Sequence, residues 1–224
     1  LLGAKNIKYI GNLKFTQTKK DNSELNKKIK AFFLTKKIWC ASSTHKNEEK
    51  ICLEVHKKLK TKYKNLLTII IPRHVHRTKK ILEEIKKLNL TVHLHESKES
   101  ITNETDIYLV NSFGQTQSFF KICKTVFLGG SIIKHGGQNP LEAAKYGCNI
   151  LHGPNIWNFD EIYSLLKKHK ISNKINNSKQ LFLKVNEMFS KSNKSNNLEH
   201  KFTILGNKIL NSTLREANLY IAKK

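Results

Sequence analysis

Two glycine pairs, set close to a serine, a histidine and a capped helix start, are the groups in this sequence best suited to hold an anion. They lie in Phe127–Gly153, FLGGSIIKHGGQNPLEAAKYGCNILHG. A short apolar run, 125–128, ends in Gly129-Gly130-Ser131, and Gly136-Gly137 then leads into Asn139-Pro140-Leu141-Glu142. This order predicts strand, loop and helix start, with Asn139 as N-cap, Pro140 at N1 and Glu142 at N3. Glycine lets the backbone approach a ligand closely, and unpaired N–H groups at a helix start attract negative charge. The stretch reads as a phosphate-binding loop. Asn-Pro-x-Glu is also an ordinary capping signal, and a glycine pair also makes a plain turn, so the residues alone leave both uses open.

Three further groups could act with this loop. Arg73, directly after an apolar run, is one of three arginines in a chain whose basic residues are otherwise lysine. A guanidinium there suits a phosphate or a sugar carboxylate, and His74 beside it can donate to the same group. Ser42, Ser43 and His45 follow another apolar run, where they either bind a ligand or cap the next helix. Glu142 either caps or accepts hydrogen bonds from sugar hydroxyls, and Asn139 likewise caps or touches ligand. The pairs His74-x-His76 and His93-x-His95 lack a completing Cys, Asp or Glu, so no metal is assigned.

The motifs GGS-x(4)-GGQNPLEAA-x(2)-G and GPN-x(2)-NF resemble those of the 3-deoxy-D-manno-octulosonic acid (Kdo) transferases. Gly11-Asn12-Leu13-Lys14-Phe15, Ala41-Ser42-Ser43-Thr44-His45 and Pro72-Arg73-His74 fit the same family in order, so the resemblance spans most of residues 9–160. It implies one half of a two-domain GT-B-type glycosyltransferase, the nucleotide-sugar-binding half, with a remnant of the first domain. It further implies an enzyme that moves Kdo from CMP-Kdo to a lipid A precursor (lipid IVA) in lipopolysaccharide biosynthesis, without metal or other cofactor. The site would be the cytoplasmic face of the inner membrane. The general base is then expected in the first domain, so the chain alone should bind CMP and transfer nothing. The resemblance assigns donor contacts to Ser42, Ser43, His45, Arg73, His74, Gly129, Gly130, Ser131, Gly136, Gly137, Asn139 and Glu142, with Glu142 on the ribose hydroxyls. Asn155, Asn158 and Phe159 sit in the segment matching GPN-x(2)-NF.

Two departures stand out. Asn111-Ser112-Phe113-Gly114-Gln115 aligns with a family segment read as Asp-Ser/Thr-x-Gly-Glu. Asn111, Gly114 and Gln115 therefore join the donor set, but with amides that accept hydrogen bonds more weakly than carboxylates. Ala144 stands where the family usually has proline.

The elements that must position these groups alternate. Strands are expected at Lys37–Ala41, Leu66–Ile71, Thr91–Leu94, Ile107–Val110 and Thr125–Leu128. Helices are expected near 46–62, 77–88, 160–168, 178–189 and 198–222, with a further one capped by Ser23. Alternation predicts an α/β, Rossmann-like doubly wound parallel sheet whose ligands bind beyond the carboxyl ends of the strands. The segments at 42–45, 72–74 and 129–142 all fall on that edge. The expected organisation is a remnant of the first domain and linker over 1–20, the nucleotide-sugar domain over 21–190, and a polar linker with a closing helix over 191–224. The abrupt start, with no initiator methionine, suggests a fragment or truncated reading frame.

With 224 residues the chain can bury a real core. Its net charge of +24 is almost all lysine, spread over nearly every helix rather than gathered in a stripe. That distribution disfavours a nucleic-acid site, which would use arginine for bidentate contacts, and suits an anionic membrane surface and an anionic donor. The four cysteines have no metal-ligand spacing and read as buried free thiols in a reducing compartment. No secretory signal and no apolar run of about 20 residues is seen, so the chain as given reads as soluble. The alternatives are a basic non-catalytic module for nucleic acid or anionic membrane, or another nucleotide-sugar glycosyltransferase or epimerase half.

Overall fold

The computed structural model describes residues 3, 7–16, 24–190 and 199–221. The chain forms two compact units, Asp21–Ser195 and, separately, Leu1–Lys20 with Asn196–Lys224.

In the larger unit the apolar runs become β1 (Lys37–Thr44), β2 (Leu66–Pro72), β3 (Val92–Leu94), β4 (Ile107–Leu109) and β5 (Thr125–Leu128). Two more strands follow, β6 (Asn149–His152) and β7 (Ser172–Lys174). All pair in parallel, in the order β3-β4-β2-β1-β5-β6-β7. Every residue of β2 is buried, as an uninterrupted LLTIIIP run requires of a sheet covered on both faces. Between strands run α2 (Glu48–Lys60), α3 (Thr78–Lys87), α4 (Thr116–Phe120), α5 (Leu141–Lys145) and α6 (Asp160–Lys168), flanked by α1 (Lys27–Leu34) and α7 (Ser178–Ser190). The expected doubly wound α/β sheet is present.

Helices α2, α3 and α7 face the sheet with apolar side chains. One cluster packs Trp39, Phe127 and Leu151 against Val55 and Leu59 of α2 and Leu181 and Val185 of α7. Another packs Ile70, Ile107 and Leu109 against Leu53 of α2 and Ile81 and Ile85 of α3. Burying each such side chain contributes about 1.5–3 kcal/mol, which fixes the strand ends that carry the polar loops. All four cysteines are buried free thiols.

Several local expectations change. The cap of α1 is Asn26, whose Oδ1 accepts from the Lys28 N–H at 2.8 Å; Ser23 lies outside the described residues. Helix α2 starts at Glu48 rather than Lys46, because Asn47 takes a left-handed conformation with φ 77°. Strands β6 and β7 and helix α4 were not anticipated, each being only three to five residues long. The polar stretch 191–197 lies outside the described residues.

In the smaller unit, α8 (Glu199–Ile221) packs on the turn Leu13–Thr16. Gly206 permits this approach, since a Cβ there would fall 2.5 Å from the Phe15 carbonyl oxygen. Lys8 pairs with Glu216 across the same unit.

The winding direction reverses at β1: β2 lies on one side and β5 on the other. Such a switch point leaves a crevice beyond the carboxyl ends of the two strands, since their connections depart in opposite directions.

Candidate functional site

The residues on either side of that crevice are held by a buried carboxylate. Strand β1 ends in Ser42-Ser43-Thr44, where its register against β2 shifts and Ser43 turns left-handed at φ 54°. The chain then reaches His45 and the first turn of α2. From that turn Glu48, fully buried, accepts four backbone N–H groups. Its Oε2 takes His45 at 3.0 Å and Gly130 at 2.7 Å, and its Oε1 takes Ser131 at 3.1 Å and Ile132 at 3.0 Å. The other loop amides are also committed. Gly129 N–H donates to the Ser42 carbonyl, Gly137 N–H to the Gly130 carbonyl, and Leu141 N–H to Asn139 Oδ1.

This corrects one expectation. The amides of Gly129, Gly130, Ser131, Gly137 and Leu141 do not form an open phosphate cradle, because an internal carboxylate and internal carbonyls already satisfy them. What the glycines supply is closeness. A Cβ on Gly129 would lie 2.4 Å from the Ser43 carbonyl oxygen, pressing the β5 loop into β1. Gly136, at φ 92°, turns under Asn158, whose Nδ2 would meet a Cβ at 2.2 Å. Asn155 clasps the loop from the β6 side, donating its N–H to Ser131 O and its Nδ2 to Ile132 O, each at 2.9 Å. Asn139 Oδ1 accepts from the Leu141 N–H, but the N-cap of α5 is Pro140, which makes no side-chain cap bond, so Glu142 falls at N2 rather than N3 in a helix of only five residues.

Side chains rather than amides therefore offer charge to a ligand. His45 sits 4.2 Å, centroid to centroid, from His135 of the glycine loop and 5.7 Å from His74 beyond β2. His74 stacks on His76 at 5.5 Å, and Gln138 Nε2 lies 3.4 Å from His45 Nε2. Arg73 is exposed, and no partner for its guanidinium occurs among the described residues. Glu142 is exposed in the first turn of α5, likewise with no hydrogen bond or ion pair among the described residues, so it does not complete a capping box.

Burial pushes the His45 imidazole down to about 4, and the neighbouring His135, His74, Arg77 and Arg73 push the same way. The folded chain thus keeps His45 neutral where an unfolded chain would protonate it. Its contribution to stability is present above about pH 6.5 and is lost as the pH falls from there toward 4. A bound anion would reverse the repulsion. Sulfate, whose charge is constant over this range, is expected to raise the His45 titration midpoint by about one to three pH units, followed through its ring proton by NMR. A midpoint unmoved by saturating sulfate would show that the imidazoles do not meet the anion.

Arg77, adjacent in sequence to these groups, serves the fold instead. It makes a two-pronged pair with the fully buried Glu49, at 2.6 and 3.0 Å, and Thr44 Oγ1 donates to the same carboxylate at 2.9 Å. The structure thus gathers Ser42, Ser43, His45, Arg73, His74, Gly129–Ser131, Gly136, Gly137 and Asn139 around β1, β2 and β5. Ser42 Oγ is buried there without a hydrogen-bond partner among the described residues. Asn111, Gly114 and Gln115 follow β4, with β2 between them and β1. The Asn111 Oδ1 is used structurally, accepting from the Glu96 N–H at 3.0 Å. The His93 and His95 pair is also absorbed into packing, stacked on and hydrogen-bonded to Tyr108. The sequence reading includes His135 beside the glycine pairs and Arg77 only as one of the three arginines, while Glu48 and Glu49 escape it. Their available signal was an acidic pair opening a helix straight after a site loop.

No protein-family model matches the chain. Individual proteins do. It is 34% identical over 160 residues to 3-deoxy-D-manno-octulosonic acid transferase of Haemophilus influenzae, covering 70% of this chain and 37% of that protein. It is 31% identical over 221 residues to the enzyme of the same name from Rickettsia bellii, covering 96% of this chain and 52% of that one. The chain is a relative of the 3-deoxy-D-manno-octulosonic acid transferases. It spans about half or less of the length of these curated Kdo transferases. Among solved structures it superposes on the C-terminal CMP-Kdo binding domain of WaaA from Acinetobacter baumannii, with TM-score 0.66 and 23% identity. That match covers 81% of this chain and 93% of that domain. It also superposes on α,α-trehalose 6-phosphate synthase from Burkholderia multivorans (TM-score 0.53, 8% identity), over 87% of this chain and 45% of the synthase. Both likenesses establish the fold alone, a doubly wound α/β sheet of the kind these proteins carry.

Proposed function

We propose that this chain is the donor-binding half of a Kdo transferase and seats CMP-Kdo in the crevice beyond β1 and β5. The observation that carries the reading is the gathering of Arg73, which has no partner among the described residues, and the imidazoles of His45, His74 and His135 at the switch point of a sheet that superposes on a CMP-Kdo binding domain. As the bond from sugar to phosphate breaks, charge grows on the departing CMP. Cationic and hydrogen-bonding side chains fixed in place before the reaction stabilise that charge without reorganising. Glu142, exposed in the first turn of α5, is the acceptor for the ribose hydroxyls. Ser42, Ser43, Gly129, Gly130, Ser131, Gly136 and Gly137 line the floor, and Asn111, Gly114 and Gln115 its β4 side. The group that deprotonates the acceptor hydroxyl comes from outside these 224 residues.

The acceptor in this reading is a lipid A precursor (lipid IVA), and the work is done at the cytoplasmic face of the inner membrane. Among the described residues no helix is long and apolar enough to cross a membrane. The lysine-rich surface suits an anionic lipid headgroup layer. The deciding experiment is calorimetry of the 224-residue chain with CMP, UDP and ADP at physiological salt. CMP is expected to bind and to be preferred. Failure of CMP to bind the folded chain, or equal binding of all three with steep salt dependence, would remove the donor role.

A further inference from the structure

The fully buried Glu48 belongs to α2, yet its four acceptor contacts reach the ends of two other segments. One oxygen bridges His45, after β1, to Gly130, after β5; the other takes the next two amides of the glycine loop. These contacts cross the switch point, the line along which the proposed donor site opens. Close approach of the loop to β1 at Gly129 leaves no room for a longer bridge, and a carboxylate at the first turn of a helix is favoured by the helix dipole. Backbone N–H groups buried away from water require acceptors, and three successive ones turned toward a single point require an anion or its equivalent.

We infer that Glu48 is a positioning residue of the nucleotide site: its carboxylate occupies the anion nest of the glycine loop and thereby fixes His45 and His135 opposite each other. This rests on the donor-binding reading for its functional consequence, but not for its geometry. The ligand's own phosphate is then excluded from the nest and meets the side chains above it. Neutral glutamine has the shape of glutamate but offers only one acceptor oxygen. Its NH2 would face two N–H donors, either those of His45 and Gly130 or those of Ser131 and Ile132.

The test compares wild type, Glu48→Gln, Glu48→Asp and, as a control for lost stability alone, Leu181→Ala in the core beneath α7. In wild type the Gly130, Ser131 and Ile132 amides are expected to exchange slowly with solvent. In Glu48→Gln they should exchange at least about tenfold faster, the His45 and His135 ring resonances should move, and CMP affinity should fall about tenfold or more. Glu48→Asp, which keeps both acceptors on a shorter stem, should recover part of each change. Leu181→Ala, compared at equal fraction folded, should keep wild-type affinity and ring resonances. The inference is overturned if Glu48→Gln binds CMP as wild type does, or if the three wild-type amides exchange as freely as exposed loop residues. Should wild type itself fail to bind CMP, the donor reading falls, and amide exchange with the ring resonances still decides what Glu48 holds. Should Glu48→Gln fail to fold, Glu48→Asp and the wild-type exchange rates decide it.

Discussion

Arg77→Ala is expected to destabilise the folded chain by about 3–5 kcal/mol, because it leaves the fully buried Glu49 carboxylate without its cation. Thr44 alone cannot compensate a charge taken out of water. Chemical denaturation, with the slope unchanged and the midpoint lowered, would measure the loss. Arg77→Lys should recover only part of it, since an ammonium cannot present the two parallel donors that Glu49 accepts. Arg73→Ala, a few residues away and exposed, should leave the midpoint in place. A loss below about 1 kcal/mol for Arg77→Ala would mean that water reaches Glu49 and that the pair is a surface one.

Glu142→Ala is expected to show the opposite behaviour. With no partner for the carboxylate among the described residues, the melting temperature should not move. CMP affinity should drop by about 1–3 kcal/mol, roughly 5- to 150-fold, the range for hydrogen bonds to a charged group. Calorimetry paired with thermal unfolding separates the two roles. A collapse in melting temperature with affinity intact in the folded fraction would make Glu142 a helix cap and nothing more.

These two carboxylates also mark where the sequence was readable and where it was not. The strands of the sheet centre announce themselves as apolar runs ended by glycine, proline or serine, and the loops at their carboxyl ends follow directly. That is why the sequence alone puts 42–45, 72–74 and 129–142 on one edge. Glu142 was legible because it lies beside the glycines. Glu48 and Glu49 were not, because an acidic pair opening a helix is what the helix dipole favours on any surface. Nothing in their spacing reveals that both are buried and bonded to segments far away in sequence. Strand β7, Ser-Asn-Lys, has no apolar signature, since an edge strand of three residues is held by the backbone of β6 and by the Ser172 hydroxyl, which donates to the Tyr163 carbonyl of α6. The amide at Asn111 looked like a weakened ligand contact, whereas its oxygen is spent joining the end of β4 to the segment after β3.

The glycine loop is already wrapped around an anion of its own, carried in permanently by α2. On the donor-binding proposal, a nucleotide arriving at this edge would find the loop ordered, leaving little chain entropy to be lost when the complex forms. Recognition there would then become a matter of matching charges on a preformed floor, and the donor's grip would be retuned by exchanging exposed side chains without refolding the loop beneath them.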